Sequence, residues 1–151
     1  MLDIEVNLNG KIGGAKKCDM VLLNNEKCQI MFVEGKVFND KRVNVKVGFT
    51  PEVIEQVRIY TEAIKAQEKC IEEQYARHIS IINALFNTEY CPKVTLIPKA
   101  KLLVYRTPKE PRDNGRYSIK EINNALGEES VYWVKEGSDP TLENIWEALC
   151  K

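Results

Sequence analysis

Residues 51–87 read PEVIEQVRIYTEAIKAQEKCIEEQYARHISIINALFN. The stretch opens with Thr50 as a candidate N-cap, Pro51 at the first helical position, and Glu52 and Glu55 in the first turn. Those are helix-start signals. No Gly or Pro follows until Pro92. Val57, Tyr60, Ile64, Ile71, Tyr75, His78, Ile79, Ile82 and Phe86 recur close to the 3.6-residue period, with a polar gap at Gln67-Glu68. The pattern predicts one helix from about 51 to 87, roughly 55 Å long at 1.5 Å per residue. A domain of this size is only about 40 Å across. The apolar stripe should therefore overhang its own core, and a second copy of the chain is the expected cover. Val57, Tyr60, Ile64, Ile71, Tyr75, His78 and Ile82 are the expected interface of a homodimer or higher oligomer. Val57, Ile64, Ile71, His78 and Leu85 also keep a heptad line, but Gln67 and Gln74 weaken its companion line.

Before the helix, Leu2, Ile4, Val6 and Leu8 alternate with polar residues. Residues 19–23 and 28–33 are apolar runs separated by Asn24-Asn25-Glu26, and Glu34-Gly35 reads as the next turn. A strand near Val37-Phe38 and alternating Val43, Val45 and Val47 complete an antiparallel meander of four or five strands over 1–48. After the helix, Val94–Ile97, Leu102–Tyr105 and Val131–Val134 read as strands. A loop spans 106–117, Ser118-Ile-Lys-Glu121 is a capping box opening a short helix that ends at Gly127, and a last helix follows Asp139-Pro140. The expected fold class is α+β, a single domain over 1–151: β-meander 1–48, long helix 51–87, β/α tail 93–151.

The 151 residues carry 22 cations and 22 acids, which argues against a general polyanion binder. No apolar run reaches the ~20 residues of a membrane span, and Met1-Leu2-Asp3-Ile4-Glu5 carries no signal-peptide pattern. Five cysteines, odd in number and without CxxC spacing, read as isolated small apolar residues of a reducing cytoplasm. Lys outnumbers Arg 16 to 6, a composition of AT-rich bacterial or phage genomes.

His78 is the only histidine, so Ser-His-Asp and Cys-His chemistry would have to use it. Its place on the apolar stripe marks it as a core or interface residue. The loop Gly10–Lys17 (GKIGGAKK) lacks the GxxxxGK[ST] spacing and leads into a strand, so it reads as a flexible connection.

Charge is unevenly spread. Residues 93–120 hold eight cations against Glu110 and Asp113, whereas 121–151 hold seven acids against Lys135 and Lys151. Lys99, Lys101, Arg106, Lys109, Arg112 and Arg116, with Tyr105 and Tyr117 beside them, suit phosphates, bases or an acidic protein surface. This basic loop supports a non-enzymatic binding or regulatory protein needing no cofactor. It would engage an anionic ligand, nucleotide, nucleic acid or protein partner, as a small phage or mobile-element inhibitor would.

A second reading starts from Asp19-Met-Val-Leu-Leu23 and Gln29-Ile-Met-Phe-Val-Glu34-Gly35-Lys36. This outline resembles the PD-(D/E)xK nuclease family over about 18 residues. The resemblance implies that Asp19 and Glu34 hold a divalent metal and that Lys36 positions the attacking water, which makes the chain a Mg²⁺-dependent nuclease. Cys18 replaces the family proline, and a strand stands where the family places a helix.

Overall fold

The computed structural model describes residues 1–8 and 16–150. The chain is α+β, with a mixed sheet of six strands and four helices. Three antiparallel strands come first: β1 (Asp3–Leu8), β2 (Lys16–Asn24) and β3 (Gln29–Val37). Helices α1 (Glu52–Ala66) and α2 (Glu68–Phe86) follow, then β4 (Thr95–Leu96) and β5 (Lys101–Thr107). Helix α3 (Asp113–Leu126), β6 (Val131–Lys135) and α4 (Leu142–Leu149) complete the chain. The sheet order is β1-β2-β3-β5-β6. β5 lies parallel between β3 and β6, and β4 pairs in parallel with the start of β3. Pro98, which has no amide donor, falls in the gap between β4 and β5.

Alternation in β3 and β5 divides the core. Ile30, Phe32, Leu102 and Val104 pack against α1, α2 and α3. Met31, Val33 and Leu103 pack on the other face against Ile145, Trp146 and Leu149 of α4. A strand covered on both faces and paired along both edges has no room for polar residues without partners.

The structure differs from the sequence reading at four places. First, Glu34-Gly35 is not a turn; both residues lie inside β3, between β2 and β5. Second, Val43–Val47 forms no strand, so the amino-terminal unit has three strands and an irregular 38–50 loop. Val45 N–H donates instead to Ser118 Oγ at 3.1 Å, because Ser118 is buried inside α3 and does not open it. Third, the first helix is bounded by Pro51, not capped by Thr50, and the chain breaks at Gln67. Gln67 has φ −123° and ψ 14°, and its N–H reaches Ile64 O at 3.1 Å in a tighter turn. The bend lets both helices lie on the sheet: Val57, Tyr60, Ile64, Ile71 and Tyr75, expected to face another copy, are buried in the chain's own core. His78 is exposed and Ile82 half-buried.

Fourth, the cysteines are not all isolated. Cys28 and Cys91 form a disulfide that joins the β2–β3 turn to the segment after α2. Cys18, Cys70 and Cys150 are free. Gly10–Ala15, the core of the glycine-rich connection, lies outside the described residues. No helix among the described residues is long and apolar enough to cross a membrane.

Candidate functional site

Two charged side chains stand in the centre of β3, where the core composition calls for apolar ones. Glu34 is 1% exposed and Lys36 8%. Two residues apart on a strand, they share one face, the one covered by α1. Lys36 Nζ donates to Glu34 Oε1 and, at 3.1 Å, to Gly35 O. Asp19, half-buried, stands just beyond the Met20–Val33 pair on β2 and so beside Glu34. Its Oδ2 accepts from Gly35 N–H at 2.8 Å and lies 3.7 Å from Lys36 Nζ.

Helix α1 supplies the rest. Gln56 Nε2 donates to Glu34 Oε1 at 2.6 Å and to Tyr60 Oη at 2.9 Å. Tyr60 Oη donates to Lys17 O at 2.6 Å. Gln56 and Tyr60 are four residues apart and so meet on one helix face. Burial pushes the Tyr60 phenol up to about 12, so it stays a neutral donor. Lys36 and Gln56 both bond Oε1, which fixes the Glu34 carboxyl and leaves Oε2 buried with no hydrogen-bond partner among the described residues. An unsatisfied buried carboxylate oxygen is costly. Burial raises the Glu34 carboxyl above the ordinary glutamate range, against the opposing pull of Lys36. In the following loop Arg42 clasps Asp40 through Nε at 3.0 Å and a terminal nitrogen at 2.6 Å, holding that carboxyl down at about 2. The Arg42 charge also favours ionised Glu34.

This cluster fits a divalent cation. Two carboxyl groups, Glu34 buried and Asp19 half-buried, face one ammonium, and one Glu34 oxygen is free. Oxygen donors suit Mg²⁺ or Mn²⁺. The described residues contain no group of three or more His, Cys, Asp or Glu placed for a metal. Asp19 and Glu34 would be its two protein ligands, with water in the remaining positions, as Mg²⁺ sites commonly keep it.

The basic loop is not assembled as one surface. Lys99 pairs with Glu129 at 2.8 Å, and Lys101 is buried with Nζ donating to Glu129 O at 3.0 Å. Lys109 is exposed in the loop before α3. Arg112 and Arg116 are exposed at the start of α3, Arg116 Nε donating to Pro111 O at 3.0 Å, and Tyr117 is half-buried in that helix. Only Tyr105 and Arg106 reach the neighbourhood of Lys36, across a crevice of about 670 Å³. Sequence reasoning singled out Asp19, Glu34 and Lys36, assigned Tyr60 to an interface between copies, and passed over Gln56. The signal for Gln56 and Tyr60 is a polar residue one turn before a tyrosine on the inward side of an amphipathic helix. Comparisons with protein-family models, with curated proteins and with solved structures return no match to this chain.

Proposed function

We propose that the chain is a divalent-metal-dependent nuclease, of the PD-(D/E)xK type that residues 19–36 resemble. The observation that carries this reading is the free, buried Oε2 of Glu34, in a carboxyl group locked by Lys36 and Gln56 on the strand next to Asp19. Most buried polar atoms are hydrogen-bonded; this carboxyl group leaves an acceptor open. Removing Glu34-Gly35 from a turn and setting it inside β3 also places both acids and the lysine on adjacent strands, as the chemistry requires.

The cation, when bound, would supply Lewis-acid polarisation of a phosphate and a more acidic water. Glu34 and Asp19 would hold it. Lys36 holds a positive charge beside both carboxylates, placed to orient the attacking water and to offset charge developing on the phosphate. Gln56 and Tyr60 orient Glu34, as outer-shell partners do.

The test is cleavage of DNA and RNA with Mg²⁺ or Mn²⁺ by the whole chain, with Glu34→Gln and Asp19→Asn as controls. Turnover that disappears in both variants is the expected result. No cleavage of either polymer with either metal would end the reading and return the chain to the class of non-enzymatic binders.

A further inference from the structure

Beside the carboxylate cluster the sheet opens into a crevice. Its floor is the carboxyl ends of the three parallel strands β3, β5 and β6, the end of such a sheet where ligands commonly bind. Gly35 and Lys36 belong both to this crevice and to the proposed metal site, so the two are continuous. Arg106 and Lys135 line it, and neither makes an ion pair among the described residues.

Arg106 stands there at a cost. Its φ is 57°, and the β5–β6 register shifts between Val104 and Thr107, a bulge around it. A non-glycine residue in the left-handed region stores roughly 1 kcal/mol or more. Bulges re-aim side chains next to functional sites. Half-buried Tyr105 offers a ring beside it, and the turn that follows Lys135 carries Glu136 and Asp139.

We infer that this crevice receives a single-stranded stretch of nucleic acid flanking the scissile phosphate, with Arg106 and Lys135 anchoring its phosphates and Tyr105 stacking a base. This rests on the nuclease reading for what happens next door, but binding itself needs no metal. Arg106 on β5 and Lys135 on the neighbouring β6 are placed to take phosphates of one sugar–phosphate chain. A stacked base requires an unpaired strand.

Fluorescence anisotropy in EDTA, where no cleavage occurs, tests this with labelled oligothymidylate, oligouridylate and a DNA duplex of equal length. The single strands should bind more tightly than the duplex; the two oligonucleotides distinguish DNA from RNA as the source. The double variant Arg106→Gln/Lys135→Gln should lose about tenfold in affinity or more, and the slope of log K against log salt should flatten by about 1.4 for two lost phosphates. Lys99→Gln, paired with Glu129 at the other end of β5, should bind as the parent does. Arg106→Gly should bind more weakly yet melt higher, since glycine relieves the positive φ; a merely structural arginine would not give that combination. An unchanged salt slope in the double variant, or tighter binding of the duplex, overturns the inference. Oligonucleotide binding without cleavage in Mg²⁺ would instead sink the nuclease reading and leave this one standing.

Discussion

Gln56 Nε2 lies 2.6 Å from Glu34 Oε1, reaching from α1 across to the centre of β3. The bond makes the glutamine the hinge pin of the site, because it decides which carboxylate oxygen remains open. Replacing Gln56 by Leu keeps much of the packing and removes the donor. Mg²⁺-dependent cleavage should fall by about 10–100-fold, the usual effect of losing an outer-shell partner, while Gln56→Glu should be worse because it sets a second carboxylate against Glu34. Full activity in Gln56→Leu would show that the pair has no positioning role.

The Glu34 carboxyl gives a pH signature whose sign is fixed by its burial. Its pKa is raised in the folded state, so the native chain holds a proton that the unfolded chain has released. Stability without metal should therefore fall as pH climbs from the ordinary glutamate value of 4.5 through the raised one. Asp40 acts oppositely: held down at about 2 by Arg42, it contributes stability that is lost as pH drops toward that value. Melting curves of the parent and Glu34→Gln, taken across pH, isolate the first effect. Their difference should shrink with rising Mg²⁺ if the cation replaces the proton.

Gly115 sits inside α3 against Phe38 and Pro111. An added Cβ would stand 2.8 Å from Phe38 Cζ and 2.9 Å from Pro111 Cβ. Alanine normally stabilises a helix interior by about 1 kcal/mol over glycine, but overpacking costs roughly 1–3 kcal/mol. The Phe38 ring packs edge-on against Trp133 with centroids 6.3 Å apart, so a retreat would disturb a second ring. Gly115→Ala should lower the melting temperature by about 2–4 °C per kcal/mol lost, against the direction that propensity alone would give.

The Cys28–Cys91 bridge closes a loop with a sequence separation of 63. Chain entropy assigns such a loop about 4 kcal/mol. Cys91→Ser should lower stability by a few kcal/mol in oxidising buffer and match the parent under reducing conditions. Equal stability of the two in both buffers would mean that the bridge does not form in solution.

Much of the sheet was legible because alternation reports which side of a strand is wet, and β2, β3, β5 and β6 follow their apolar runs. Alternation does not report a neighbour, which is why Val43–Val47 looked like a strand although Ser118 takes the Val45 amide. Glu34-Gly35 carries turn residues, yet Asp19 satisfies the Gly35 amide and parallel pairing with Leu102 and Leu103 of β5 keeps the chain extended. The break at Gln67 left only a trace, the polar Gln67-Glu68 gap, since no Gly or Pro marks it. Within the site, the two acids and the lysine were visible as a spacing. Gln56 was not, because its role depends on how α1 lies over β3.

That break has a consequence for how local unfolding spreads. Gln67 N–H ends the hydrogen bonding of α1 on Ile64 O, and Gln67 O receives Ile71 N–H as α2 begins. Fraying that starts among exposed Leu85 and Phe86 can run back along α2 and stop there. Amide protons of α1, which carries Gln56 and Tyr60, should then outlast those of α2 in deuterium exchange. The bend is a firebreak between the exposed end of α2 and the carboxylate cluster beneath α1.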